Sequence, residues 1–282
     1  MKKLLPLIAL LITMTFANCN STKELKMIVA TYNIRMDTPA DSLDPWSKRK
    51  EMIKDLIRFH DFDIFGTQEG FKHQLEDLTQ NSPYSYIGVG RGDGIDGDEH
   101  SAIFYKTDKF EVLQNGDFWY SETPDVPGKG WDATCCNRIC SWGEFKEKET
   151  GKTFFFFNSH YDHEGREARK NSSLLLLERI KEIAKDNPVF VTGDFNASPD
   201  DEPIQTIYDD GMLKDSYLIT ENPPYGTPST FNGFRVNHRM SERIDYIWVT
   251  EGITVHKYGV LNDIQYGHFP SDHYPVVVKV SF

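Results

Sequence analysis

Asp194 and Asn196 stand two positions apart where the apolar run Val189-Phe190-Val191-Thr192 ends on Gly193. A carboxylate at a strand tip can ligate a hard cation or take a proton from water, and an amide can donate to a phosphate oxygen. Strand alternation sends both side chains the same way. Gly, Asp and Asn are also ordinary turn residues, so this motif alone carries little. Its weight comes from repetition. The run from Met27 to Arg35 carries Asn33 near its tip, Asp63 to Gln68 leads into Glu69, and Phe154 to Phe157 runs out through Asn158 and Ser159 to His160. Asp245 lies near the start of the run Glu242–Val249; a buried carboxylate there needs a partner. The last apolar run opens on Asp272-His273 and supplies one.

Together, Asn33, Glu69, His160, Asp194, Asn196, Asp245, Asp272 and His273 offer carboxylates for a hard cation, amides for anionic oxygens and two imidazoles. That set suits attack of water on a phosphate ester. The phosphorus is shielded by negative oxygens, so the reaction needs a Mg2+-like ion, neutral or cationic donors and a base for the water. No serine, cysteine or lysine stands out as a nucleophile.

The elements that must hold these residues are legible in outline. Helices are predicted from Trp46, carrying Ile53, Leu56, Ile57 and Phe59 to a core, over 71–79, over 166–185 with the stripe Leu174, Leu177, Ile180 and Ala184, and over 203–208. Strands are predicted near 84–90, 101–106, 110–120, 138–146 and 153–160. Asn187-Pro188 ends the long helix and feeds the run at Val189, the crossover of a layered α/β fold. The acidic, glycine-rich stretch from Arg91 to Glu99 lacks calcium-loop spacing and is expected to be a flexible rim loop.

A chain of 282 residues is long enough for one sizeable core. Residues 1–19 differ from the rest: Lys2-Lys3, an apolar run too short to span a membrane, then Phe16-Ala17-Asn18-Cys19. This reads as an export signal, of lipoprotein type with lipid on Cys19, or of simple secretory type cleaved near Ala17. Residues 20–26 then form a short tether and 27–282 the catalytic domain, placed in the periplasm, at the outer membrane or cell surface, or secreted. Loss of residues 1–19 removes two lysines and no acid, moving the formal net charge from −12 to −14. Such a surface weighs against strong polynucleotide binding unless a cation neutralises the site. Cys135, Cys136 and Cys140 allow one disulfide and a leftover thiol, and they lack zinc spacing.

Tyr32-Asn33-Ile34-Arg35, Gln68-Glu69-Gly70, Asn158-Ser159-His160, Gly193-Asp194-Phe195-Asn196, Ile244-Asp245-Tyr246 and Ser271-Asp272-His273-Tyr274-Pro275-Val276 occur in this order along the chain. In this ordered set it resembles the endonuclease/exonuclease/phosphatase (DNase I-like) superfamily. The resemblance implies a four-layer αββα sandwich of two mixed β-sheets flanked by helices. It also implies Glu69 as principal metal ligand, with Asn33 and Asp272 close by, for Mg2+, with Mn2+ or Ca2+ able to replace it. Asp194 would orient or deprotonate the water, Asn196 and His160 would hold the non-bridging oxygens, and His273, oriented by Asp245, would bind phosphate or move a proton. Arg138 would contact phosphate, or else form a surface salt bridge. Asp162 and His163 would shape the pocket or cap the following helix. The implied partner is a phosphate ester: nucleic acid, nucleotide, inositol phosphate or lipid head group. A membrane is implied only through a lipid on Cys19. No protein partner is implied, and a monomer is expected. The rival reading is an exported, catalytically inactive binding or surface protein on the same fold. A pure binder, however, has no use for both an acid cluster and the groups that orient it.

Overall fold

The computed structural model describes residues 23–238 and 242–282; the expected export signal and Cys19 lie outside them. Two six-stranded mixed sheets pack face to face with helices outside each, so the four-layer αββα sandwich is the fold. In the first sheet, β1 (Lys26–Asn33) runs parallel to β2 (Ile64–Gln68), with α1 (Trp46–Phe59) as the crossover. After α2 (Lys72–Thr79), strands β3 (Tyr84–Ile87) and β4 (Ile103–Lys106) complete one edge. The second sheet begins with β5 (Phe110–Trp119), β6 (Ile139–Glu147) and β7 (Thr153–His160). The helix α3 (Arg166–Ile183) crosses to β8 (Val189–Asp194), parallel to β7. Next come α4 (Glu202–Asp210), β9 (Leu213–Asp215), α5 (Ser216–Ile219) and β10 (Asp245–Thr250). The chain then returns to the first sheet with β11 (Thr254–Val260) and β12 (Val276–Ser281), whose last residue pairs with Lys26 of β1. Leu25 and Phe282 exchange both backbone hydrogen bonds, so pairing reaches into the expected tether.

Period-2 alternation explains both the core and the site. Val29 of β1, Phe154 and Phe156 of β7, Phe190 of β8 and Ile247 and Val249 of β10 face the space between the sheets. Ala30 and Tyr32 turn outward under α1 and α2, and Phe155, Phe157, Val189 and Val191 turn outward under α3 and α4. These strands are buried on both faces and so read as unbroken apolar runs. Continuing each inward series by two residues brings Thr31 and Asn33, Asn158 and His160, Thr192 and Asp194, and, backwards along β10, Asp245. The inter-sheet layer is therefore apolar at one end and polar at the other.

Two helical faces differ from expectation. Phe59 is 83% exposed at the end of α1, and Leu174 is 48% exposed on α3. On α3 the expected Leu177, Ile180 and Ala184 are buried, and Ala168 and Leu176 join them in place of Leu174, because only the line of contact with the sheet is covered.

At Gly66 of β2 the facing sheet leaves no room for a side chain: a β-carbon would sit 2.2 Å from Asn158 Oδ1. Gly66→Ala should therefore lower stability by about 2 kcal/mol in urea titration, from overpacking that the buried Asn158 amide has no room to relieve.

Candidate active site

The polar end of the inter-sheet layer opens into a cavity of about 450 Å³ lined by Glu69, His160, Asp194, Asn196, Asp272 and His273, with Arg35, Arg91, Arg138 and Glu99 around them. Strand pairing fixes the positions. His160 lies opposite Asp194 in the β7–β8 register, and Asp245 opposite Asp194 in β8–β10. Gly193 permits this close pairing, since at φ +154° a β-carbon would come within 2.2 Å of the Ser159 carbonyl oxygen. Past the tips the chain turns sharply: Arg35, Glu69 and Asn196 have φ of 56°, 66° and 47°, a left-handed conformation costly for residues with a β-carbon and typical of functional sites. Asn196 therefore does not simply extend the strand. Its N–H donates to Asp194 Oδ1 at 2.9 Å, and its Nδ2 donates to the Tyr161 carbonyl at 3.0 Å.

Asn33 Nδ2 joins the two central carboxylates, donating to Glu69 Oε1 at 2.9 Å and Asp194 Oδ2 at 3.1 Å; its oxygen accepts from Arg35 N–H at 3.0 Å. His273 Nδ1 is 3.0 Å from Asp245 Oδ2, and its Nε2 is 3.7 Å from Asp194 Oδ2. On the other flank His160 Nε2 is 3.8 Å from the same Asp194 oxygen. Both imidazoles thus bracket one carboxylate. Burial opposes charge on His273, but Asp245 and Asp194 outweigh it and hold its pKa well above the ordinary value. Burial, then Arg138 and Arg91, push His160 well below it. Burial and the charge of Asp245 raise Asp194 to about 7, while burial of Glu69 is outweighed by His273, Asn33 and Arg35, so it stays ionised.

Arg138 is buried, not a surface ion pair: its Nη1 lies 3.1 and 3.2 Å from the two ring nitrogens of His160, Nη2 is 2.7 Å from His163 Nδ1, and Nε donates to Asp162 Oδ2 at 3.3 Å. Asp162 also accepts from the N–H groups of Glu164 and Gly165. Asp162 therefore caps the turn before α3 and holds Arg138, whereas His163 lines the cavity. Among the cavity residues not anticipated are Arg91 and Glu99. The stretch expected to be a flexible rim is cross-tied: Arg91 pairs with Glu99 at 2.7 Å and Asp98 at 3.3 Å, and Asp93 accepts from the backbone of Ile95 and Gly97. Glu99 Oε2 lies 3.8 Å from His160 Nδ1, and burial raises its carboxyl to about 7. No local signal marks Glu99, which stands four positions before β4 at the end of an acidic, glycine-rich stretch. Arg49, also buried, donates to the carbonyls of Ile34, Arg35 and Pro270 and so fastens the loop after β1 to the one before Asp272.

The donor set fits a divalent cation. Burial and repulsion from Glu69 help to raise the Asp272 carboxyl to about 6. Arg35 reaches both acids only loosely, at 3.5 and 3.8 Å, so a hard cation among these oxygens would relieve their repulsion. Ligand atoms of Glu69, His160 and Asp194 also lie within 4.8 Å of one another, although an imidazole suits Mg2+ poorly.

The family model for the endonuclease/exonuclease/phosphatase family matches residues 30–273. The chain belongs to that family. A mannosyl-6-phosphatase of Bacteroides thetaiotaomicron VPI-5482 is 47% identical with a TM-score of 0.87, over 91% of this chain and 100% of the other. Another endonuclease/exonuclease/phosphatase family protein, from Bacteroides thetaiotaomicron, is 46% identical with a TM-score of 0.89, over 92% and 99%. An uncharacterised mimivirus protein, L388, is 30% identical over 86% of this chain and 94% of its own length. The endonuclease/exonuclease/phosphatase family comprises phosphoester hydrolases, nucleases and phosphatases among them.

Among the described residues Cys135 and Cys136 form a disulfide and Cys140 is a buried free thiol. Burial pushes Cys140 up to about 12. It should resist alkylation at mildly alkaline pH in the native protein and react only on unfolding, as mass spectrometry of the labelled peptide would show.

Proposed function

We propose that the protein is an exported, divalent-metal-dependent phosphatase that removes the phosphate from small hydroxyl-rich monoesters, hexose phosphates being the substrate class. The observation that carries the hydrolytic part is the convergence of Glu69, Asp194, His160 and His273 on one cavity. Similarity to a mannosyl-6-phosphatase supports the finer reading, and a formal net charge of −12, or −14 without residues 1–19, favours small esters over polynucleotides.

In this reading Glu69 and Asp272 hold the cation, which supplies Lewis-acid neutralisation of the phosphate. Asp194 accepts the proton of the attacking water. Arg138 and the amide of Asn196 face the non-bridging oxygens, where charge grows in the transition state. His273, kept protonated by Asp245, donates to phosphate or to the departing oxygen. Export on the signal of residues 1–19, with or without lipid on Cys19, would place this activity outside the cytoplasm.

The test is a substrate panel with Mg2+ or with EDTA: mannose 6-phosphate, a generic phosphodiester and a short RNA. Phosphate release from the hexose ester should exceed cleavage of the other two by about a hundredfold and stop with EDTA. Faster RNA or diester cleavage would sink the monoester reading. Activity indifferent to EDTA would sink the metal.

A further inference from the structure

One wall of the cavity is not used by the hydrolytic groups. Cys135 and Cys136, joined to each other, line the same cavity as Glu69, His160 and Asp194. Cys135 is exposed and Cys136 partly so, whereas Cys140 is buried. The pair lies two residues before Arg138, and its segment is tied on both sides. Asn137 Nδ2 donates to the Arg91 carbonyl at 3.1 Å. Asp132 accepts from the N–H groups of Ala168 and Glu167, at 2.7 and 3.2 Å, at the start of α3. Lys129 Nζ donates to the Thr134 carbonyl at 2.6 Å, and the Thr134 hydroxyl to Glu164. The sulfur surface is therefore held in fixed relation to the reacting groups. The pair lies just before β6. Phe231 lines the same cavity and packs edge-on against His273, with ring centroids 5.0 Å apart.

A disulfide has no hydrogen to donate and its sulfurs are weak acceptors, so what it offers a ligand is polarisable, apolar surface. The phosphate gains nothing from that. The remainder of a substrate does, if it presents a C–H face. We propose that the Cys135–Cys136 disulfide is a specificity-determining wall that, with Phe231 of the same cavity, receives the ring of a hexose phosphate, leaving Arg91 and Glu242 for its hydroxyls. This rests on the sugar-phosphatase reading above. It adds the residues that recognise the sugar.

The test has a covalent and a kinetic arm. In protein purified and digested without reductant, the peptide holding both cysteines should be two hydrogens lighter than after treatment with a phosphine, which with water yields two thiols and the phosphine oxide. In the kinetic arm, kcat/KM for mannose 6-phosphate is divided by kcat/KM for methyl phosphate. That ratio should fall about tenfold in the Cys135→Ala/Cys136→Ala double variant, mainly through KM. Phosphine-reduced wild type, which needs no mutant to fold, should move the same way. A purely structural role lowers both values together and leaves the ratio alone, which would overturn the proposal, as would free thiols in the unreduced protein. Wild type inactive on both esters would sink the hydrolase reading and this inference with it. Activity on both with an unmoved ratio would sink the inference alone.

Discussion

Asp194→Asn should lower phosphate release by about a thousandfold while leaving the fold in place. Asp194 Oδ2 is the point on which Asn33, His160 and His273 converge, at 3.1, 3.8 and 3.7 Å. Asparagine keeps the volume and loses the capacity to accept water's proton. It also removes one of the carboxylates that keep His273 charged, so the His273 pKa should fall, which NMR titration of the ring would register. A circular dichroism melt within a few degrees of wild type would separate lost chemistry from lost structure. Activity within tenfold of wild type would remove Asp194 from the role of base. The pH profile gives a second check. With burial and Asp245 raising Asp194 to about 7, the base is available only above that region. Thus kcat/KM should rise with pH through neutrality, and a bound cation should move this limb lower.

Asn158→Leu should cost about 4 kcal/mol of stability. Its Nδ2 donates to the carbonyls of Thr67 and Ala102 at 2.8 and 3.0 Å. Its Oδ1 accepts from Gln68 Nε2 at 2.7 Å and Thr192 Oγ1 at 2.9 Å. One side chain of β7 thereby satisfies groups on both sheets just below the reacting residues. Leucine would strand several of these buried groups at once, and an unmade buried hydrogen bond costs more than a made one contributes. The measurement is the urea midpoint at constant slope. Because the same network underlies Glu69 and His160, kcat should fall too, by less than in Asp194→Asn. A midpoint within about 1 kcal/mol of wild type would mean that water replaces the amide.

Much of the site was legible in the chain because its residues are extensions of strands. An apolar strand buried on both faces must be long and unpolar, so its polar end is conspicuous, and period 2 says which of the end residues faces inward. Asn33, His160, Asp194 and Asp245 were found in this way. The helix faces were less legible. Phe59 and Leu174 are as hydrophobic as their buried neighbours, and only the line of contact with the sheet decides which of them is covered. Arg91 and Glu99 were hidden for the opposite reason. In a glycine-rich acidic stretch they look like solvated loop residues, and nothing local says that Glu99 pairs with Arg91 and lies beside a histidine 61 positions later.

By itself, then, the sequence determined the order of most strands and helices, though not β9, α5 or β11, together with the polar strand tips and the kind of reaction such tips could support, since these follow from local periodicity and the chemistry of side chains. Only the tertiary structure decided that the tips meet. It also decided that Asn33 ties Glu69 to Asp194, that Arg138 is buried against His160, and that a disulfide walls the cavity. Those outcomes depend on which strands become neighbours across two sheets, a long-range choice made by the packing of the whole core and written in no single segment of the chain.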